Sequence, residues 1–272
     1  MSEHPAANAR SGSEPPLDPT AGGGRFADLH SLYQRRVANV PEAGMATDTM
    51  FQGDPRHYRN VGQSAWRCIA AALLAADVPP PQRILDLPCG HGRVLRVLKA
   101  AFPDAALTAC DLDEPGVRAC AEHFGATSVV SQPDLDRVSF AAPFDLIWCG
   151  SLVTHLDPAG WLSVFRMLAR ALAPGGVAVV TTHGRWVAYR MQQGHHTYNL
   201  NDAERAQILR DYEQRGFGYC DYGEQAGYGV SLSQPSWVLN ELAQWWNLRV
   251  ISLCERQWDR HQDVLAVQRV DG

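Results

Sequence analysis

The sequence lacks long apolar runs, lysine and closely spaced cysteines, and each absence excludes a class of protein. No run of about eighteen apolar residues occurs, so neither a transmembrane helix nor a membrane partner is expected. Lys99 is the only lysine and the net charge is −5, so no nucleic-acid partner is expected. The seven cysteines form no Cys-x-x-Cys pair, which indicates buried, reduced thiols in a cytoplasmic protein rather than a disulfide scaffold or a metal site.

The composition divides the 272 residues into a tail, a cap and a main domain. Residues 1–24 are rich in Pro, Gly, Ala and Ser and lack the basic start and apolar centre of a secretory signal, which predicts a disordered tail. Residues 25–78 carry apolar side chains at helical spacing, most clearly over Val61–Ala76, and predict an N-terminal helical cap. Three consecutive prolines end that helix, and the main domain is expected to fill residues 79–272.

Apolar strands and amphipathic helices alternate along the main domain. The strands are predicted at Arg83–Leu87, Ala106–Asp111, Ser128–Ser131, Phe144–Cys149, Gly176–Thr182, Arg249–Glu255 and Val264–Arg269. The helices are predicted at Arg93–Phe102, Glu114–Phe124, Pro158–Leu172, Asp202–Gly216 and Pro235–Trp246. Strands that are apolar throughout are typical of a parallel sheet covered on both faces. We therefore expect a doubly wound α/β fold with a seven-stranded mixed sheet, a C-terminal antiparallel hairpin and an insertion at about 185–233.

A glycine-containing turn follows the first predicted strand, at the edge of the sheet where ligands of open α/β folds bind. Gly90 and Gly92 would let a ligand approach the backbone beside the free N–H groups of the next helix, although an ordinary tight turn also uses such glycines. A dinucleotide site needs a third glycine where this chain has Leu95, so a nicotinamide dinucleotide is disfavoured.

Three acidic residues follow the first three predicted strands. Asp86 precedes the glycines, where a carboxylate suits a ligand with a cationic amine rather than phosphates. Asp111 ends the second strand, where it can accept hydrogen bonds from both ribose hydroxyls. Asp134 follows the third strand, where it could meet an adenine amino group. An ammonium, a ribose and an adenine without a phosphate cradle describe S-adenosylmethionine, which is the cofactor we expect.

The order of four motifs resembles that of class I (Rossmann-like) S-adenosylmethionine-dependent methyltransferases of the bacterial small-molecule type. The motifs are Asp86-Leu87-Pro88-Cys89-Gly90-His91-Gly92, Asp111, Phe144-Asp145-Leu146-Ile147-Trp148 and Leu172-Ala173-Pro174-Gly175-Gly176. The resemblance spans roughly residues 83–182, and the C-terminal strand pair fits the family's final hairpin. The family usually has glycine where this chain has Pro88, a departure that stiffens the turn.

The resemblance implies a cofactor wall built from the ends of the first four strands. Its members are Asp86, Pro88, Gly90 and Gly92 at the methionine end, Asp111 and Leu112 at the ribose and adenine, Asp134 or Leu135 at the adenine edge, and Cys149 and Gly150 near the sulfonium. Extensions before the core often fold over the cofactor in this family, so Tyr58 would touch the cofactor carboxylate or have a plain packing role.

Two histidines at the same edge are candidate catalytic bases. His155 and His183 follow the fourth and fifth strands, and a neutral imidazole can accept a proton from the acceptor near pH 7. The alternative for each is a hydrogen-bonding histidine that shapes the cofactor wall. Candidate substrate-binding residues in and near the predicted insertion are His195, His196, Tyr198 and Tyr228, the histidines being otherwise exposed loop residues.

The expected function is methyl transfer to an oxygen or nitrogen atom of a small-molecule acceptor, such as a secondary metabolite. Members of the family that methylate adenine or glutamine nitrogens typically have an Asn-Pro-Pro-Tyr type of motif after the fourth strand. This chain has Cys149-Gly150-Ser151-Leu152 there and does not resemble them. The alternatives are a protein or peptide side-chain methyltransferase and a non-catalytic S-adenosylmethionine-binding subunit. A homodimer is left open.

Overall fold

The computed structural model of the chain describes residues 31, 35–36, 40–42, 48, 50–223 and 225–270. The tail predicted at 1–24 lies outside the described residues, as does most of the first half of the predicted cap, 25–47. No helix in the described part of the chain is both long enough and apolar enough to cross a membrane.

In the part of the chain that the structure describes, nine strands form two sheets. The strands are β1 Arg83–Asp86, β2 Ala106–Asp111, β3 Thr127–Val130, β4 Phe144–Cys149, β5 Leu172–Thr182, β6 Phe217–Tyr222, β7 Gln225–Ser233, β8 Leu248–Trp258 and β9 Gln262–Arg269. The main sheet has seven strands in the order β3-β2-β1-β4-β5-β9-β8, and β6 pairs with β7 in a separate sheet. Strands β1 to β5 pair in parallel, whereas β9 pairs antiparallel with both β5 and β8. The predicted mixed sheet with a C-terminal antiparallel hairpin is therefore confirmed.

Seven α-helices accompany these strands within the described residues. They are α1 Pro55–Ala76, α2 Leu95–Ala101, α3 Glu114–Phe124, α4 Pro158–Ala171, α5 Arg185–Gln192, α6 Asp202–Arg215 and α7 Pro235–Leu242. One core contains buried side chains of α1, α2 and α3, and the other contains those of α4 and α7. Successive residues of β4 point alternately into the two cores, with Trp148 in the first and Ile147 in the second. The sheet is therefore covered on both faces.

Helix α1 begins six residues before the predicted start at Val61. The Asp54 carboxylate accepts hydrogen bonds from the backbone N–H groups of Arg56 and His57, and Pro55 occupies the first helical position. The helix packs against the C-terminal hairpin, where the Trp258 indole donates to the Val61 carbonyl at 3.1 Å. This contact joins the N-terminal cap to the last two strands of the sheet.

The segment between β5 and α7 carries its own small core. Helices α5 and α6 pack on the β6–β7 hairpin around a cluster that includes Met191, Ile208 and Leu232. The sequence predicts α6, whose Asn201 and Glu204 form a capping box and whose end is capped by Gly216. It predicts neither α5 nor the β6–β7 hairpin.

Two strands differ from their predictions by three or more residues at one end, and three others differ by one or two residues. Strand β5 begins at Leu172 rather than Gly176, since Leu172 pairs with Phe144 ahead of an irregularity in the ladder. Strand β8, which lies at the edge of the main sheet opposite β3, extends to Trp258, three residues past the predicted Glu255. Its pairing with β9 shifts register twice, between Val250 and Ser252 and between Cys254 and Trp258.

Candidate functional site

The strand order reverses direction at the centre of the sheet. Strand β1 lies between β2 and β4, so the chain leaves β1 toward one edge of the sheet and reaches β4 on the other side. Ligands of open α/β folds bind in the crevice that this arrangement leaves at the carboxyl ends of the strands. Asp86, Asp111 and Cys149 are the last residues of β1, β2 and β4, so the structure places these predicted residues around the crevice.

Asp86 is a buried carboxylate without a protein partner. Its side chain is 1% exposed and neither of its oxygens has a hydrogen-bond partner. Burial raises its pKa well above the ordinary value, and the negative charge of Asp111 raises this pKa further, while the Leu95 backbone N–H and the charge of Arg93 lower it by less. A buried acceptor of this kind is costly unless a ligand satisfies it, and a cationic donor would offset both effects.

Asp111 is held in place by the turn after β1. Its Oδ2 accepts a hydrogen bond from the Gly90 N–H at 2.7 Å, and its Oδ1 accepts one from the Asp113 N–H at 3.0 Å. A carboxylate offers about four acceptor positions, so two positions remain for the hydroxyls of a ribose. The carboxylate is thus fixed in orientation before any ligand binds.

The two glycines of the turn are needed for different physical reasons. Gly92 has φ +84°, and a Cβ atom there would lie 2.5 Å from the Phe124 ring, so this glycine lets the turn pack against α3. Gly90 has φ +48°, with no atom within 4 Å of its would-be Cβ. Its open side is therefore the side from which a ligand can approach the backbone. Pro88, between β1 and this turn, follows a cis peptide bond.

The adenine end of the predicted wall is open. Leu112 directly follows Asp111 and is 59% exposed, an unusual position for a large apolar side chain. Leu135 is buried in the sheet core. Asp134 is exposed, caps the short 3₁₀ helix that begins at Leu135 and lies 3.1 Å from the Arg137 guanidinium. Of these residues, Leu112 presents a free apolar surface.

Tyr58 is buried beneath the N-terminal side of the crevice. Its hydroxyl donates to the Asp48 carboxylate at 2.6 Å, and burial together with this carboxylate raises its pKa. The Arg93 guanidinium lies 5.9 Å from the ring centroid. Burial lowers the pKa of Arg93, while the charges of Asp48 and of Asp86 among others raise it. The sequence reasoning missed Arg93, although a cation directly after the last glycine of the turn is a signal that could have found it.

The carboxyl ends of β4 and β5 and the amino end of β9 are joined by side-chain hydrogen bonds. The Ser151 N–H donates to Thr181 Oγ1 at 2.7 Å, and the Thr181 hydroxyl donates to Gln262 Oε1 at 2.6 Å. The Gln262 amide nitrogen donates a hydrogen bond to Ser151 Oγ at 2.6 Å. Ser151 has φ +61°, a conformation that non-glycine residues adopt only where neighbours enforce it. The predicted Cys149 and Gly150 precede this tie, and burial raises the pKa of the Cys149 thiol to about 12.

His155 is oriented by a backbone carbonyl. Its Nδ1 lies 2.8 Å from the Gly229 oxygen, so Nδ1 carries the proton and Nε2 is left as an acceptor. The ring stacks on Tyr228 at a centroid distance of 4.9 Å, and the Tyr222 hydroxyl lies 3.4 Å from Nδ1. Burial lowers the pKa of His155, which keeps the imidazole neutral at pH 7.

His183 is the more deeply buried of the two histidines. Its side chain is 2% exposed, and its Nδ1 has no hydrogen-bond partner. Burial lowers its pKa well below the ordinary value, and the nearby His261 and His155 lower it further. The structure therefore brings His155 and His183, which follow neighbouring strands, close enough to affect each other's charge.

Four rings that include His183 form a cluster. Its members are His183, Tyr198, His196 and His261, and we call it the imidazole–phenol cluster. The Tyr198 hydroxyl is 2.7 Å from His261 Nε2, and the His196 and Tyr198 ring centroids are 4.1 Å apart. His195 is exposed and stays outside the cluster. Sequence reasoning missed His261, which the β8–β9 turn brings 63 residues along the chain to Tyr198.

Tyr228 connects the two sides of the crevice. It lies in β7 next to Gly229, is 45% exposed, and its pKa is raised by burial and then by the charge of Asp111. The β6–β7 hairpin therefore reaches from the two histidines toward the carboxylate predicted to hold the ribose. No group of three or more His, Cys, Asp or Glu side chains in the described ranges is arranged to hold a metal ion.

The sequence of the central domain matches a known family. Residues 84–176, which run from β1 into β5, match a family described as a methyltransferase domain. The chain is 30% identical to the trans-aconitate 2-methyltransferase of Acidovorax ebreus (strain TPSY) over 131 residues, which are 48% of this chain and 50% of that protein. It is 32% identical to the malonyl-[acyl-carrier protein] O-methyltransferase of Hahella chejuensis (strain KCTC 2396) over 120 residues, 43% of this chain and 42% of that protein. The chain thus spans about half the length of the curated relatives it matches.

Solved structures resemble the whole fold at low sequence identity. An S-adenosylmethionine-dependent methyltransferase from Clostridium acetobutylicum ATCC 824 aligns with a TM-score of 0.53 and 15% identity, covering 92% of this chain and 99% of that one. The 1,6-didemethyltoxoflavin-N1-methyltransferase of Burkholderia thailandensis aligns with a TM-score of 0.51 and 15% identity, covering 95% and 93%. Residues 84–176 therefore match a family described as a methyltransferase domain, and the chain has the same fold as these solved structures.

Proposed function

We propose that this chain binds S-adenosylmethionine and transfers its methyl group to an oxygen or nitrogen atom of a small molecule. The observation that carries this proposal is the unpartnered Asp86 carboxylate, buried beside Asp111 at the crevice of the sheet. Two nearby carboxylates, one of them without a donor, suit a ligand that brings an ammonium group and two hydroxyls. A phosphate-bearing dinucleotide would bring negative charge to the same place.

The residues around the crevice fit this cofactor from end to end. Asp86 would accept hydrogen bonds from its ammonium group, and Arg93 would face its carboxylate. Asp111 would hold the ribose, and Leu112 would cover a face of the adenine. Asp134 or Leu135 would lie at the adenine edge. When bound, the cofactor supplies a methyl group on a sulfonium, which is already an activated leaving group.

The proton of the acceptor would pass to His155. Its Nδ1 is engaged by the Gly229 carbonyl, so the basic Nε2 is the atom that can accept a proton from a hydroxyl or amine. His183 is the second candidate for this role, since its unpartnered Nδ1 is buried near His155. Alignment of the acceptor with the methyl group contributes the rest, because in-line displacement depends strongly on orientation.

A small acceptor is favoured over a protein side chain because the β6–β7 hairpin packs against the 3₁₀ turn that carries His155. Tyr228 of this hairpin stacks on the His155 ring, and the charge of Asp111 acts on its hydroxyl. The relatives named above are, by their names, methyltransferases for trans-aconitate and for malonyl-[acyl-carrier protein]. An open, flat mouth at this position would instead favour a protein or peptide acceptor.

Free thiols support a reducing, cytoplasmic compartment as part of this proposal. All seven cysteines are free and five are buried, as expected for a protein that relies on its core rather than on disulfides. That the acceptor is a secondary metabolite, and that the chain forms a homodimer, remain predictions.

Calorimetry with S-adenosylmethionine, its demethylated product S-adenosylhomocysteine and NADH tests the cofactor proposal. We expect binding of both sulfur compounds and no binding of NADH, because two carboxylates line the crevice. A clear signal with NADH and none with the sulfur compounds would contradict the proposal. Transfer of a labelled methyl group to a pool of small hydroxy and amino compounds then tests turnover, and binding without transfer to any acceptor would favour a non-catalytic subunit.

A further inference from the structure

One guanidinium on the acceptor side of the crevice has no anionic partner. Arg190 lies in the last turn of α5, its Nε is buried, and that atom has no hydrogen-bond partner. It forms no ion pair with any residue that the structure describes, whereas Arg185 on the same helix pairs with Glu255. Leaving a buried N–H of a charged group unsatisfied costs free energy, so the site is suited to an anion supplied from outside.

Arg190 lies at the end of α5, directly before the loop that carries His196 and Tyr198 of the imidazole–phenol cluster. Its charge acts on Tyr198, His196 and His261, lowering the pKa of both histidines and opposing the effect of burial on the pKa of Tyr198. The Arg190 carbonyl also accepts a hydrogen bond from the His195 N–H at 2.9 Å, which fixes the loop carrying His196 to the end of α5. The end of α5 and the loop that carries two of the cluster rings are therefore joined, and the guanidinium charge acts on those rings.

The cluster adds hydrogen-bond donors and flat walls but no negative charge. Burial lowers the pKa of His196 and His261, so both rings are neutral at pH 7. Asp259 is the one carboxylate that acts on His261, and its own backbone N–H is turned toward Ser64 Oγ at 2.8 Å. An anionic group beside Arg190 would meet one full positive charge and neutral polar rings.

The cluster is also continuous with the proposed reaction centre. His183 lies 5.0 Å from Tyr198 and 5.8 Å from His261 between ring centroids. His155 lies near His183 on the side of β4. An acceptor that reaches from Arg190 to the two histidines would be lined by aromatic rings along its length, which favours a planar molecule.

We propose that the acceptor is a small planar carboxylic acid whose carboxylate is anchored by Arg190 and the neighbouring imidazole–phenol cluster, with the methylated atom at the opposite end of the molecule near His155. This inference rests on the proposed function, since it concerns the acceptor of the same site. Arg190 acts here as an anchor for the substrate and takes no part in bond making. A guanidinium suits this role because its fork of N–H groups matches the two oxygens of a carboxylate.

Binding of a matched acid and amide to the protein saturated with S-adenosylhomocysteine tests the inference. The probes are 4-hydroxybenzoate and 4-hydroxybenzamide, which share shape and differ in charge, and binding is measured by saturation-transfer NMR and calorimetry. We expect the acid to bind at least about 10-fold more tightly than the amide, and Arg190→Gln to weaken acid binding by about 10- to 100-fold, as loss of a charged hydrogen-bond pair implies.

Two further variants separate charge from structure. Arg190→Lys keeps the charge without the fork and should retain part of the preference for the acid. Arg185→Gln removes an exposed, already paired arginine from the same helix and should leave acid binding unchanged. Thermal melts and S-adenosylhomocysteine affinity should match the parent protein in all three variants.

Several outcomes would overturn the inference while leaving the proposed function standing. These are equal binding of acid and amide, no acid binding at millimolar concentration, or acid binding that survives in Arg190→Gln, each with S-adenosylhomocysteine affinity intact. Failure of the parent protein to bind S-adenosylhomocysteine would instead count against the proposed function itself. The two failures are thus distinguished by one titration.

Discussion

The two sides of the crevice are built from opposite chemistry. On the side of β1 and β2, carboxylates end the strands, and backbone N–H groups fix the orientation of Asp111. On the side of β5 and β9, the wall contains imidazole and phenol rings, and the Arg190 guanidinium there has no ion pair with any described residue. A cationic donor and an anionic acceptor would each meet a wall of opposite charge, which separates the two ligands before any reaction.

The two sides also differ in how they are held. The donor side lies on strands of the main sheet and on a turn whose Gly92 packs tightly against Phe124 of α3. The acceptor side is supported by the separate β6–β7 hairpin and by α5 and α6, which share a small core of their own. The structure therefore suggests that acceptor specificity can change without disturbing the donor site, and four predictions test this division.

The largest effect is expected from the candidate base. His155→Gln removes the free Nε2 and should lower turnover by about 10²- to 10⁴-fold, the usual contribution of a general base, while S-adenosylhomocysteine affinity stays within about twofold. Because burial lowers the pKa of His155, kcat/KM of the parent protein should stay level as pH falls to 6.5 and decline only below it.

His183→Gln serves as the matched variant for this measurement. If His183 is the base instead, its substitution should lower turnover by more than that of His155 does. Equal losses of turnover and of cofactor affinity in either variant would show that the histidine belongs to the cofactor wall. The acceptor side and the donor side of the crevice would then share that residue.

Substitution of the two glycines of the turn should affect different properties, protein stability at Gly92 and ligand affinity at Gly90. Gly92→Ala places a Cβ 2.5 Å from the Phe124 ring at a positive φ, so we expect a loss of about 2–5 kcal/mol in the free energy of unfolding. Gly90→Ala meets no atom within 4 Å and should cost about 1–2 kcal/mol, but its methyl group faces the ligand and should weaken S-adenosylhomocysteine binding. Chemical denaturation and calorimetry measure both quantities, and equal stability losses would contradict the distinction.

The carboxylate at the end of β2 should matter for the donor alone. Asp111→Asn should weaken S-adenosylhomocysteine binding by about 10- to 100-fold, because two charged hydrogen bonds to the ribose become neutral. Binding of 4-hydroxybenzoate should be unaffected in that variant. Asp104→Asn, just before the opposite end of the same strand, is the control, and calorimetry that finds the same loss there would disprove the role of Asp111.

The smallest effect is expected from Asp263, at the start of β9. Burial raises the pKa of Asp263 to about 6, so the charged form is disfavoured in the folded protein and the cost is present above pH 6. Asp263→Asn should therefore raise the free energy of unfolding by about 1–2 kcal/mol at pH 7–8, and the gain should vanish near pH 4. Denaturation at both pH values checks this, with Glu241→Gln, a partly exposed acid on α7, as control. A gain that persists at pH 4 would contradict it.

Local signals were sufficient for much of the fold. Strands β2 and β4 and helix α3 have the predicted boundaries, because their apolar runs end at clear punctuation such as Gly125, which caps α3 in the left-handed conformation. Helix α1 was predicted too short, although Asp54 followed by Pro55 is an ordinary start signal. The β6–β7 hairpin was missed because its strands mix glycine and polar residues, and its edges are set by packing on α6.

The candidate site divides in the same way. Asp86, Asp111 and the glycines could be placed from sequence because their position depends on one strand-to-helix turn and on the end of the next strand. Arg190 and His261 could not, since their juxtaposition depends on the β8–β9 turn folding back beside α5. No local pattern encodes a contact between residues so distant in the chain.

The edge strand β8 of the main sheet affects the tendency of the protein to aggregate at high concentration. A sheet edge with unpaired backbone groups is a template for edge-to-edge aggregation. Strand β8 pairs only with β9 among the described residues, but its two register shifts interrupt the regular spacing that an incoming strand would need. Arg249, Glu255 and Arg256 add exposed charges along it. This edge is therefore a poor seed for fibrils, and the protein should remain dispersed at concentrations where a flat, apolar edge would precipitate.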